Sequence, residues 1–71
     1  MNIAKEIKFE NEMLVSAETP FINDMQNHID HIMEHKKLLQ LSENVDNDEI
    51  FNTIINHIKG HIELMLGSKF Q

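Results

Sequence analysis

The sequence has no cysteine and no arginine, and it holds one proline and two glycines among 71 residues. Without cysteine there is no disulfide and no thiolate metal site to staple the fold. The same absence fits a reducing compartment. Twelve acidic residues against six lysines give a net charge of −6. Phosphate backbones are gripped by clustered Lys and Arg, and base edges are read above all by Arg, so no direct nucleic-acid binding is expected. No apolar run approaches the ~18 residues of a membrane span, and no basic-then-apolar leader opens the chain. No membrane contact is expected either, and the chain reads as soluble and intracellular.

What is present is a moderate apolar content, 41% of residues, and five histidines. That content supports a thin core in a chain this short, so help from partner chains or a histidine-bound metal is worth looking for. Protonating all five histidines would take the charge from −6 to −1, which makes the molecule's field dependent on pH.

The pattern predicts an all-α fold: one small domain over 1–71, made of an antiparallel helical hairpin and an additional N-terminal helix. Ile3 and Ile7, with Met13 and Leu14 further on, predict a helix over about 2–15 with Lys and Glu between them. Residues 16–22 read as a loop, since Pro20 disfavours a helical residue before it. A second helix is expected over about 23–43. Thr19-Pro20 or an Asn23/Gln26 capping box would open it, and Met25, Ile29, Ile32, Met33 and Leu39 would form its apolar stripe. Asp46 and Glu49 form a second capping box opening a third helix over about 47–66, which Gly67 stops. The short turn between the last two helices makes them antiparallel. Met13, Met25, Met33 and Met65 are read as adaptable core filler, and the acidic residues of the first helix as a solvated face.

His28, His31 and His35 fall within roughly 60° of one another on the second helix at about 100° per residue. His57 and His61 lie on the apolar side of the third. Folding the hairpin brings His28 level with His61 and His31 level with His57, with His35 opposite Ile54. Three readings follow. The five form a structural network, hydrogen-bonded and fixing the register. Alternatively His28, His31, His57 and His61 converge on zinc or another divalent ion, since i,i+3 and i,i+4 pairs on facing helices can form a tetrahedral site. The third reading is a pH switch, in which acid charges the core and loosens it. Only the metal reading involves a cofactor.

No enzyme is expected. His31 and His35 have the spacing of a zinc-protease motif, but Ile32 occupies the glutamate position. Ser16, Ser42 and Ser68 have no histidine near them in sequence, and neither Gly60 nor Gly67 belongs to a phosphate-cradling loop.

The arrangement resembles the C-terminal helical module of tailed-phage portal proteins. The resemblance rests on Ala4, Glu10-Asn11, Met13-Leu14, Pro20, Asp24, His28, His31, His35, Leu38-Leu39, His57-Ile58 and His61, and it covers residues 4–66. Asn27 stands where the family usually has an acid or amide before the first histidine, and Ala17 stands where its loop often has glycine. The resemblance implies a phage-type structural or protein-binding module, a homo-oligomer or a bound protein partner, in the cytoplasm of a bacterial host or in the virion. In such a ring unlike faces meet, so the first helix would dock on a neighbour, and a negative surface would let DNA slide past. Size and charge suit equally a small acidic phage or prophage inhibitor of a host protein.

Overall fold

The computed structural model describes residues 3–70, so the Asn2 start expected for the first helix lies outside the described residues. The described residues are helical with no strand. Helix α1 is Ile3–Leu14, α2 is His28–Lys36, a 3-10 turn follows at Lys37–Gln40, α3 is Ser42–Val45 and α4 is Asp48–Phe70. At about 1.5 Å per residue, the 23 residues of α4 span roughly 34 Å, which sets the long dimension of a 38 × 26 × 18 Å body. No helix among the described residues is long and apolar enough to cross a membrane.

Helix α2 is shorter than the sequence suggests, and its capping explains why. The Asn23/Gln26 box forms, with the Asn23 N–H donating to Gln26 Oε1 at 3.1 Å and the Met25 N–H to Asn23 Oδ1 at 2.7 Å. It closes an isolated turn and not a helix start. The helix begins after Asn27, whose Oδ1 accepts from the Asp30 N–H at 3.0 Å. Thr19-Pro20 stays in the loop. At the other end α2 stops at Lys36, and the 3-10 turn and α3 make the bend. Buried Asn44 ties this bend together by donating from Nδ2 to the Leu38 carbonyl at 2.9 Å. The third expected helix begins one position late, capped by Asn47 rather than Asp46, with Asn47 Oδ1 accepting from the Ile50 N–H at 3.2 Å. It does not stop at Gly67 but runs to Phe70.

Helix α1 ends in a left-handed cap. Ala17 has φ 60°, the Ala17 N–H donates to the Leu14 carbonyl at 3.0 Å and the Glu18 N–H to the Met13 carbonyl at 2.9 Å. This is the Schellman pattern, in a position where glycine costs least. The loop then crosses to α4, where Ile22 rests on Gly60. A Cβ at Gly60 would stand 2.6 Å from Ile22 Cδ1, so this helical glycine makes room for the strap.

The apolar core is small. Leu14, Ile54 and Ile58 form its buried centre, with Ile32, Leu38, Leu39 and Ile50 packed against it. The expected stripe of the second helix is split: Ile32 and Leu39 pack on the core, while Met25, Ile29 and Met33 are exposed, Met25 at 90%. Met25 and Met33 are thus not core filler. The inner face of α2 is made of His31 and His35, fully buried with His57, His61 and Glu10. The middle of this protein is polar.

Candidate metal centre

Three helices bring these polar residues together. His28, His31 and His35 follow at three and four residues on α2, so their rings descend one face. His57 and His61 are one turn apart on α4. The rings pack edge to face or tilted, with centroids 4.9 Å apart for His35–His57, 4.8 Å for His57–His61 and 5.0 Å for both His31–His61 and His28–His61. His28 meets His61 as the folded hairpin predicts, Nδ1 to Nδ1 at 2.8 Å. The other pairs differ from expectation by about a turn. His35 packs on His57 rather than opposite Ile54, and His31 packs on His61. The antiparallel order survives.

Into this ring cluster α1 places Glu10. It stands where the stripe Ile3, Ile7, Leu14 passes inward, three residues after Ile7 and four before Leu14. It is buried, so the solvated face expected for the acids of this helix does not extend to Glu10. Its Oε1 lies 3.2 Å from His31 Nδ1, 3.2 Å from His35 Nε2 and 3.5 Å from His57 Nε2. Glu6, one turn earlier, reaches His31 Nε2 at 2.9 Å. Gln26 Nε2 donates to Glu6 Oε1 at 2.9 Å and Glu10 Oε2 at 3.1 Å.

Among the described residues, four buried ring nitrogens have no hydrogen-bond partner: His35 Nε2, both nitrogens of His57, and His61 Nε2. Leaving a buried polar atom unpaired costs about 1–3 kcal/mol, and native cores leave few of them. The partners of the other nitrogens show what the free ones offer. His35 Nδ1–H donates to Asn11 Oδ1 at 2.7 Å, which leaves the Nε2 lone pair free. The His28 contact engages His61 through Nδ1, and when His61 is the donor of that pair its Nε2 lone pair is free in the same way. Fixing a histidine by one nitrogen so that the other can ligate is the usual outer-shell arrangement of metal sites.

The spacing fits an ion better than hydrogen bonds. In a tetrahedral site with ligand bonds of 2.0–2.1 Å, adjacent donors stand roughly 3.3–3.4 Å apart. The Glu10 Oε1 distances to His35 Nε2 and His57 Nε2, 3.2 and 3.5 Å, bracket that edge. Donor atoms of Glu10, His35, His57 and His61 all lie within 4.8 Å of one another. Protonation suits ligation too. Burial, and the repulsion that His57, His31, His35 and His28 would exert on a second charge, push His61 down to about 3 from an ordinary 6.5, so it is neutral at pH 7. Burial alone would raise Glu10, but contact with His35 and His57 and the electrostatic attraction of the His31 and His35 rings outweigh it and hold the carboxyl well below its usual range.

The candidate group Glu10, His35, His57 and His61 overlaps only in part with the sequence expectation of His28, His31, His57 and His61, and His31 groups instead with Glu6 and Glu10. His57 and His61 are common to both sets, while His35 and Glu10 replace His28 and His31. His28 supports His61 from outside, and His31 bridges the two glutamates. Reading the α1 stripe through position 10 would have flagged Glu10 as an inward-facing acid. The chain matches no family model, no curated protein and no solved structure.

Proposed function

We propose that this chain is a non-enzymatic helical module that binds a divalent transition-metal ion in its core. The observation that carries the reading is the convergence of His35, His57 and His61, each with an unpartnered Nε2, on the buried Glu10 carboxylate, with one ligand atom of each within 4.8 Å of the others. Three imidazole nitrogens and one carboxylate oxygen suit Zn²⁺, Co²⁺ or Fe²⁺ rather than Mg²⁺ or Ca²⁺, which favour all-oxygen shells. Glu10 comes from α1, His35 from α2, and His57 and His61 from α4, so one ion cross-links all three. That is the service a disulfide would give a cysteine-containing domain of this size.

The test is a thermal melt of metal-free protein with added zinc. Free zinc at a hundred times Kd stabilises by about 2.7 kcal/mol, which for a domain this small raises Tm by roughly 10–20 °C. EDTA should reverse the rise. Glu10→Gln keeps the side chain's size, removes the charge, and should abolish the zinc-dependent shift. An unshifted wild-type melt refutes the reading.

Exposed apolar surface favours a second role, assembly. Phe21 is 81% and Met25 90% exposed in the loop before α2. Phe21 also lines, with Phe9, Met13 and Pro20, an apolar trough of about 460 Å³ beside α1. In this reading the metal-tied bundle is the phage-type structural module its histidine pattern resembles, and it meets copies of itself or another protein through that surface.

A further inference from the structure

One tetrahedral ion does not exhaust the donors. Glu6, Glu10 and His31 form a second group whose ligand atoms also lie within 4.8 Å of one another, and Glu10 belongs to both groups. His31 is buried between the two carboxylates, Nε2 at 2.9 Å from Glu6 Oε1 and Nδ1 at 3.2 Å from Glu10 Oε1. A neutral imidazole carries one proton and satisfies only one of these contacts as a donor. A second proton on the ring, or a metal ion in its place, is needed to satisfy both. Gln26 holds both carboxylates from the far side, donating to Glu6 Oε1 and Glu10 Oε2. It orients them as an outer-shell residue orients ligands.

Resting on the metal reading above, the geometry points to a two-cation centre in which Glu10 is the shared carboxylate. The first position is closed: Glu10, His35, His57 and His61 are all buried. The second position, formed by Glu6, Glu10 and His31, is open on one side, since the Glu6 side chain is 27% exposed and water can complete the shell. Its donors are two carboxylates and one imidazole, which favours Mn²⁺, Fe²⁺ or Co²⁺. Closed sites are structural, whereas open ones leave room for an exogenous ligand, so the second ion is the one a small anion would reach. Carboxylate-bridged ions of this kind stand roughly 3.5–4 Å apart, close enough for their unpaired spins to couple.

The experiment is titration of the metal-free protein with Co²⁺, reading bound metal per chain after desalting and the electron paramagnetic resonance signal. The expected result is two equivalents per wild-type chain, with a signal weaker than that of two isolated ions. Glu6→Gln should bind one equivalent and show the full signal of a single ion. Glu6→Ala gives the same reading if the Gln amide itself ligates, and circular dichroism checks that each variant is helical. One equivalent in the wild type overturns the second site and leaves the first standing. Two equivalents retained in both Glu6 variants also overturn it. No bound metal at all overturns the metal reading as a whole.

Discussion

His61 sits with no solvent exposure among the other imidazoles, and its chemistry sets how the metal-free chain responds to acid. Burial and the repulsion a charged ring would meet from the surrounding imidazoles lower its folded-state value to about 3, against 6.5 when unfolded. The folded state therefore binds this proton less readily than the unfolded state does. The stability so conferred is complete above pH 6.5 and is lost as pH falls from about 6.5 toward 3. Glu10, whose value is also lowered by folding, adds a loss in the same direction below its ordinary 4.5. Metal-free protein should then show Tm falling steadily between pH 7 and pH 4, and His61→Gln should flatten the upper part of that slope. A Tm that stays level across this range would contradict the assignment. The pH switch suggested by the histidine count thus has a residue to act through, although bound metal would hold the same nitrogens and oppose it.

At the scale of the helix, α1 is the element that matters most, because it supplies both carboxylates and is tied to the rest through a loop. Its C-terminal cap puts Ala17 at φ 60°, in a region that costs a residue with a Cβ roughly 1–2 kcal/mol. Ala17→Gly relieves that strain and gives back part of it as unfolded-chain entropy, for a net gain of about 1 kcal/mol. A chemical denaturation midpoint should move upward with an unchanged slope, and a downward shift would show that the cap is not strained. The elements themselves were largely legible from spacing. The all-α class, three main helices and the antiparallel hairpin follow from three-and-four periodicity and from the lack of any alternating segment. Boundaries were not legible, because several Asn and Asp residues compete as caps. Asn23 and Asn27 both accept backbone N–H bonds, and only packing decides which of them precedes a continuing helix.

For the molecule as a whole, apolar side chains are divided between a small core and a generous surface. Leu14, Ile54 and Ile58 are buried, while Phe9, Phe21, Met25, Ile29 and Met33 are exposed. Only part of the stripe expected for the second helix faces inward, Ile32 and Leu39 with the histidines, while Met25, Ile29 and Met33 face out. Light scattering on zinc-loaded protein at pH 7.5 should give a mass above the 8.3 kDa of one chain if the exposed residues mediate self-assembly. Phe21→Ser with Met25→Ser should return it to one chain without changing helicity or the zinc shift. A monomer at high concentration would remove self-assembly and favour binding to a different protein, the role of a small acidic inhibitor.

The sequence by itself determined the helices, the pairing of His28 with His61, and an inward bias of all the histidines, because these depend on periodicity within one or two elements. Only the tertiary structure decided what the histidines face. Helix α1 joins the hairpin through a loop whose path follows from Ile22 seating on Gly60 and from the turn at Ala17. No local pattern announces that path. It delivers Glu10 against His31, His35 and His57, which together with His61 makes packed rings and a carboxylate into a group able to hold a metal ion. The missing cysteines asked what else could hold so thin a core. The answer came from contact between residues more than twenty positions apart, which spacing along one helix cannot reveal.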